Sequence, residues 1–331
     1  MYKENVILIT GGTGSWGYEL TKQLLQTEVK EIRIFSRGEL AQVNMERHFN
    51  NKRIQFIIGD IRDYSSLDKA LYGVDYVFHL AALKHVPICE KQPQESIKTN
   101  ILGTDNLIKA SIKNHVKKVI DVSSDKAVAP LNVYGMCKAL GEKMIVNANT
   151  FSNETKFICI RAGNVLGSNG SVVPLFIDQI KKKNEITITH AEMTRFFLTI
   201  PQAISLLFTA TTASIGGETF VMKMPSCKIT DLANVLVKFY GDKNTKITIT
   251  GMRPGEKLHE ELISEYEIGY VYEYNLNYYL IEPYIPSLEF QDYYSVIKPD
   301  QKLQTKVTSL QEHLMNEKEI IELLQKGNFL P

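Results

Sequence analysis

Several signals that would commit a chain to a particular habitat or chemistry are missing or scarce here. Only four cysteines occur among the 331 residues, Cys89, Cys137, Cys159 and Cys227, and none forms a CxxC pair. A disulfide framework is excluded, and free thiols in a reducing compartment are expected. The seven histidines show no paired spacing with cysteines or acids, so no metal site is expected. Charge of one sign is also lacking: 38 basic and 37 acidic side chains leave a formal net charge of +1. So weak a field points to neither nucleic acid nor an anionic membrane as a partner. No apolar run approaches the roughly 20 residues that span a bilayer. The opening MYKENVILITGG holds an apolar run only from Val6 to Ile9 and enters a glycine turn, so it does not read as a signal peptide. The cytoplasm is the expected location. Internal repeats and low-complexity tracts are absent.

What is present is ordinary globular composition, 44% apolar and 23% charged, with a strong internal rhythm. Short β-branched runs predict strands at Val6–Thr10, Glu31–Phe35, Ile54–Ile58, Tyr76–Leu80, Lys118–Val122 and Lys156–Arg161. Helical patterns lie near Ser15–Gln26, Ser65–Tyr72, Glu95–His115 and Tyr134–Ala148. Strands alternating with helices predict an α/β fold with a doubly wound parallel sheet. After about residue 165 the rhythm gives way to turns, short strands and short helices. Residues 1–165 are therefore expected to form a dinucleotide-binding domain, with later segments returning to it. Residues 166–331 would form mainly a smaller α+β substrate domain capping the carboxyl ends of the strands. The tyrosine-rich segment 266–294 reads as packed strand and loop rather than as a platform for stacking bases.

The first strand runs into Thr10-Gly11-Gly12-Thr13-Gly14-Ser15-Trp16-Gly17. Gly11, Gly14 and Gly17 stand three apart, a pattern that permits a tight turn, close approach to a pyrophosphate and close helix packing. The helix starting near Ser15 would aim free N–H groups and its positive end at that anion, flanked by Thr13 and Trp16. The second strand ends in Ser36 and Arg37, where a carboxylate would favour NAD. A hydroxyl and a guanidinium suit a 2′-phosphate, so NADP is expected. Asp60 and Ile61, closing the third strand, are expected to flank the adenine.

The segment SSDKAVAPLNVYGMCK (123–138) is crowded with proton-handling groups. Tyr134 and Lys138 stand four apart, hence on one helix face. An ammonium beside a phenol lowers the phenol's pKa, preparing it to take a hydroxyl proton while NADP takes the hydride.

The ordered set of glycine loop, strand-end serine and YxxxK resembles the extended short-chain dehydrogenase/reductase superfamily, over essentially the whole chain. The Ala81-Ala82 turn and the segment around Asn100 resemble its cofactor-backing elements. A narrower resemblance is carried by HLAALKHVP (79–87), SSDKAVAPLNVYG (123–135), RAGNVLGSNGSVVPLF (161–176), MTRFF (193–197) and GMRPGEKLHE (251–260). These segments look like the configuration-inverting UDP-N-acetylglucosamine 4,6-dehydratases that open pseudaminic acid pathways. The Asp125-Lys126 pair is the most specific mark.

That resemblance implies the roles of the site residues. Tyr134, Lys138 and Ser124 would serve oxidation at sugar C4. The resulting ketone acidifies the C5 proton, which Lys126 would remove as base while Asp125 protonates the departing C6 hydroxyl. A stored hydride then returns to C6 and a proton reaches C5 from the other face. NADP would be tightly bound and recycled. Lys126 must be neutral for this, and burial with Lys138 or Lys84 nearby is expected to lower its pKa. Arg253 and Glu256 would contact the diphosphate and uridine ribose, Asn164 the nucleotide sugar and Arg195 a phosphate. Lys84 and His85 are expected to line the sugar pocket. Homologous enzymes imply a homo-oligomer. Departures from the family pattern occur at Ser124, Ala162, Asn169 and Gly38, where Thr, Tyr, Arg and Asp are usual. They leave open a different step on the same scaffold: 4- or 5-epimerisation, elimination stopping at a 5,6-ene, or reduction of such an intermediate. A nucleotide sensor without chemistry is a further alternative, which the full acid–base set argues against.

Overall fold

A computed structural model describes residues 2–168, 170–297 and 302–330. The first half alternates strand and helix. β1 (Val6–Thr10), α1 (Ser15–Leu24), β2 (Glu31–Ser36), α2 (Glu39–Phe49), β3 (Ile54–Ile58) and α3 (Tyr64–Leu71) form one run. β4 (Tyr76–His79), α4 (Val86–Lys91), α5 (Pro93–Ile97), α6 (Gly103–Lys113), β5 (Lys118–Ser124), α7 (Val133–Asn147) and β6 (Lys156–Ala162) form the next. These strands pair in parallel in the order β6-β5-β4-β1-β2-β3, so the chain reverses direction across the sheet between β1 and β4. Every residue of β1 is buried, as expected for a strand covered on both faces. The expected α/β doubly wound fold is therefore present, and its crevice opens at the carboxyl ends of β1 and β4.

The second half is more regular than its sequence suggests. β7 (Asn164–Leu166), α8 (Val172–Lys183), β8 (Glu185–Ile188), β9 (Thr194–Thr199) and α9 (Ile200–Ala213) come first. β10 (Thr219–Met222), β11 (Ser226–Lys228), α10 (Ile229–Tyr240), β12 (Lys246–Ile249) and β13 (Glu261–Ile263) follow. β14 (Val271–Glu273), β15 (Tyr278–Ile281), α11 (Leu288–Ile297), β16 (Val307–Thr308) and α12 (Glu317–Lys326) complete the chain. Helices α8, α9 and α10 have 12, 14 and 12 residues, not the short helices expected. β10 adds to β6 in parallel, and β15 then β14 extend that edge antiparallel, giving a nine-stranded sheet. The three-stranded β11-β9-β7 sheet and the helices α8, α10 and α12 enclose a second core around Phe176, Phe197, Leu236 and Leu324. In the tyrosine-rich segment Tyr272, Tyr278, Tyr279 and Tyr294 are buried as packing groups, and part of it is helical, not strand and loop throughout.

One helix departs from the expected continuous Glu95–His115. It is split into α5, a π-helical turn at Lys98–Leu102, and α6. The wide turn serves Asn100, whose side chain accepts from Leu83 N–H and donates to Leu83 C=O, both at 2.8 Å. It thereby fixes the loop after β4.

Two buried polar devices hold the sheet to its surroundings. Arg161 on β6 is 3% exposed. Its guanidinium donates to both Glu142 carboxylate oxygens (3.0 and 2.7 Å), to Glu267 (2.9 Å) and to the Leu262 carbonyl (2.8 Å). This ties α7 to the segment after β13. Replacing Arg161 with Met is expected to cost about 3–5 kcal/mol in urea unfolding, because two carboxylates lose their countercharge.

His79 ends β4, its ring bridging the hydroxyls of Thr10 (2.7 Å) and Thr104 (3.3 Å). Burial, with Lys138 adding to it and Asp121 opposing, lowers its pKa from 6.5 to about 4. The unfolded chain takes up that proton first as pH falls. The site's contribution is thus complete above pH 6.5 and declines as pH drops toward about 4. Urea unfolding should show the wild type losing on the order of 3 kcal/mol across this window that His79→Gln does not lose.

Candidate active site

A cleft of about 1300 Å³ opens at the β1–β4 crevice and runs between the large sheet and the second-half elements. Its first wall is the β1–α1 turn, where Gly11, Thr13, Gly14, Ser15, Trp16 and Gly17 all border it. A Cβ on Gly17 would lie 2.0 Å from the Gly12 carbonyl oxygen, so only glycine lets α1 start this close to the turn. Gly14 precedes α1 with no side-chain cap, and α1 has no acid in its first turn. An anion is the natural partner for such a helix end. This cradle fits a dinucleotide.

At the far end stand Ser36, Arg37, Asp60 and Ile61. Ser36 Oγ accepts from Gln42 Nε2 at 3.0 Å, a partner on α2. Arg37 is exposed and lies 3.9 Å from Asp60, whose carboxylate is gripped by Arg62 at 2.6 Å. Partial burial would raise the Asp60 pKa, yet its bonds from Arg62, with Arg37 assisting, hold it below the usual range. Ala81 and Ala82 also face the cleft, whereas Asn100 does not border it and acts through Leu83.

β5 delivers the proton-handling groups. It ends in Ser124, which accepts from Lys126 N–H (3.3 Å) and donates to Asp125 Oδ1 (2.9 Å), capping a one-turn helix Asp125–Ala127. Asn132 then caps α7 through Gly135 N–H. A Cβ at Gly135 would stand 2.2 Å from the Lys126 carbonyl oxygen, so α7 presses directly on the Asp125–Ala127 turn. Ser124, Lys126, Tyr134 and Lys138 consequently border one cleft. Asp125 does not border it: it is 1% exposed, with Oδ1 3.1 Å from Lys126 Nζ and Oδ2 lacking a hydrogen-bond partner among the described residues.

Two electrostatic expectations are corrected. Tyr134 is not lowered in pKa: burial raises it, outweighing Lys138, Ser124 and Lys126. Lys138 Nζ is spent on Asp121, 3.2 and 3.3 Å from its two oxygens. Lys126 is not lowered either. Burial acts in that direction, but Asp125 and Glu260 overcome it and hold the ammonium above the usual lysine range. Lys84 does sit below that range, through desolvation and then Lys126. Asp125 is raised, chiefly by burial, against the pull of Lys126.

The second wall combines the loop after β4 with residues far along the chain. Asn164, Lys84 and His85 border the cleft, the last packed against Gly170. Asn169 lies outside the described residues. Arg253 and Glu256 form one turn, with Glu256 Oε2 accepting from Arg253 N–H at 3.1 Å. That turn docks on the loop between β5 and α7 through Asn132 to Gly255 O (3.0 Å) and Lys257 to Val128 O (2.6 Å). Arg195 borders the cleft but is 8% exposed, and it donates to the carbonyls of Thr194, Leu258 and Lys257. It braces the 257–260 segment. Sequence reasoning missed Asp121, Gln42 and Glu260. The last follows directly on the RPGEKLH run, which was the available signal.

Comparison with known proteins places this geometry. The profile of the polysaccharide biosynthesis protein family matches residues 7–282. The chain belongs to that family. A relative from Rickettsia canadensis, named UDP-glucose 4-epimerase, is 42% identical over 336 residues, spanning 100% of this chain and 98% of its own. The crystal structure of Pen from Bacillus thuringiensis superposes over 100% of both chains with TM-score 0.92 at 37% identity. UDP-glucuronic acid 4-epimerase from Bacillus cereus, solved with UDP-glucuronic acid and NAD, matches with TM-score 0.69 at 26% identity, covering 76% of this chain and 88% of its own. The fold is thus that of extended short-chain dehydrogenase/reductase enzymes acting on nucleotide sugars. Among the described residues no helix is long and apolar enough to cross a membrane.

The Asp121–Lys138 pair should be testable by itself. Lys138 is raised in pKa, burial being outweighed by Asp121 and Tyr134. The pair's stabilisation is therefore fully present below the unfolded lysine pKa of about 10.4 and is lost as pH rises through the folded value. Asp121→Asn is expected to cost about 3 kcal/mol at neutral pH, a deficit that narrows in strongly alkaline denaturation series.

Proposed function

We propose that this protein is a cytoplasmic, NADP-dependent UDP-N-acetylglucosamine 4,6-dehydratase that inverts C5, acting in synthesis of surface sugars of the pseudaminic acid type. The observation that carries the reading is the Asp125–Lys126 pair, 3.1 Å apart, on the turn that α7 overlies with Tyr134 and Lys138. Oxidation and reduction at one carbon need only the tyrosine and lysine. A second acid–base pair, Lys126 on the cleft wall and Asp125 buried directly behind it, matches a second proton problem, the loss of water.

Tyr134 must first be ionised; its phenolate, stabilised by Lys138 anchored on Asp121, takes the C4 hydroxyl proton and becomes the phenol. The β1–α1 turn and Tyr134 and Lys138 would hold a nicotinamide cofactor, which would supply a reversible hydride acceptor for the sugar. The resting Asp125–Lys126 ion pair becomes the working pair by one proton shift from Nζ to the carboxylate. The neutral amine then takes the C5 proton, and the carboxylic acid, behind the cleft wall, passes its proton through the Ser124 hydroxyl, 2.9 Å away, to the departing C6 hydroxyl. Water leaves, and the carboxylate and ammonium are restored. The pair needs no outside proton, which reconciles a charged resting Lys126 with its role as base. A solvent-derived proton delivered to C5 from the opposite face completes the inversion, balanced by the C4 hydroxyl proton that Tyr134 releases to solvent.

Ser36 and Arg37, with no carboxylate at the tip of β2, favour the 2′-phosphate of NADP. Arg253, Glu256 and Asn164 are placed to meet the uridine diphosphate, and Lys84 and His85 the sugar. Four unpaired buried cysteines suit a reducing compartment. Exposed apolar side chains at Ile97, Leu102, Met136 and Leu140 support a homo-oligomer.

The relatives named as 4-epimerases favour a second reading, epimerisation at C4, which uses Tyr134 and Lys138 and leaves Asp125–Lys126 without work. Mass spectrometry after incubation with UDP-N-acetylglucosamine separates them. The expected product is lighter by one water, its NMR spectrum shows a 4-keto-6-deoxy sugar, and Lys126→Ala abolishes its formation. An unchanged mass in the wild type would refute dehydration, and a C5–C6 alkene as end product would limit the enzyme to elimination.

A further inference from the structure

Glu260 is 2% exposed and borders the cleft. Its main chain is fixed from both sides: its N–H donates to Ser309 Oγ (2.9 Å) and its carbonyl accepts from Ser309 N–H (2.8 Å). Oε1 lies 3.3 Å from Lys126 Nζ and 3.6 Å from Arg195 Nε. Oε2 is buried with no hydrogen-bond partner among the described residues. A buried carboxylate oxygen left without a donor is costly, so so rigid a placement calls for a role.

We propose that Glu260 is a positioning residue for the water-loss step, clamping the Lys126 amine from the side of the second-half elements and setting the pH at which that amine exchanges protons. This rests on the dehydratase reading above. The charged and titratable groups facing Lys126 are Asp125 on its own turn, Glu260 before β13, Arg195 on β9, Lys84 after β4 and Tyr134 on α7. Asp125 and Glu260 are the two that favour the ammonium. Asp125 is needed as the acid, so it must lose and regain its charge during turnover. Glu260 is the carboxylate that stays ionised, held there by Lys126 and Arg195 against its own burial. It keeps the amine aimed while Asp125 changes state.

The test follows deuterium uptake at sugar C5 in heavy water, by mass spectrometry across pH, using cofactor-loaded protein and UDP-N-acetylglucosamine. In Glu260→Gln the limb that rises with pH should move down by about one unit or more, equivalent to a tenfold change in the neutral amine. Glu260→Asp, which keeps the charge with a shorter reach, should fall between it and the wild type. The initial rate at which reduced-nicotinamide absorbance appears, which precedes the Lys126 step, should keep its own pH dependence. An unmoved limb, an upward shift, or a rate lowered equally at every pH would overturn the proposal. If Glu260→Gln does not fold, Glu260→Asp decides by the direction of its shift. If the wild type neither takes up deuterium nor loses water, the dehydratase reading fails. Lys126 reactivity toward reductive methylation, mapped by mass spectrometry against pH, then still decides whether Glu260 sets its titration.

Discussion

The close approach of α7 to the Asp125–Ala127 turn is the constraint on which the candidate site depends. Tyr134 and Lys138 belong to the helix, and Asp125 and Lys126 belong to the turn. A side chain larger than hydrogen at Gly135 would drive the two apart by colliding with the Lys126 carbonyl. The same helix is held at its next turn by Glu142, gripped by Arg161 of β6. Sheet, helix and turn are thus one rigid block, and the two proton-handling pairs keep a fixed separation.

Charges inside that block alternate in sign. Asp121 faces Lys138; Asp125 and Glu260 face Lys126; Glu260 and Glu256 face Arg195. Packed apolar residues of similar volume give comparable or better stability than buried ion pairs. The investment in charge is better understood as pre-organisation, since fixed dipoles and ions act most strongly where water is excluded. The orphaned oxygens of Asp125 and Glu260 fit that view, because both belong to carboxylates beside the one lysine.

The parts of this arrangement legible in the sequence are those written in local pattern. The six strands of the first half begin where their β-branched runs begin, and the spacing of Tyr134 and Lys138 places both on the cleft side of α7. α2 escaped notice because Gln42 and Met45 are its only buried residues, too few to mark an apolar stripe. The π-helical turn escaped because its cause, the Asn100–Leu83 clamp, joins separate segments. Glu260 and Asp121 were hidden for the same reason: their lysine partners lie on other elements. The error over Lys126 had a related origin. Burial and neighbouring cations were foreseeable, but the two carboxylates that reverse their effect become neighbours only in three dimensions.

β6 also borders a part of the sheet that does not yet exist when β6 is made. Its outer edge is covered by β10, and that strand in turn by β15. Until residue 222 has been synthesised β6 presents unpaired N–H and C=O groups to its surroundings, and from then until residue 281 β10 does. At about 5–20 residues per second the delay between β6 and β15 lasts several seconds. The nascent half-protein is therefore a distinct species, with an open edge that a chaperone or another nascent copy can reach, and dividing the gene near residue 165 would make that transient exposure permanent.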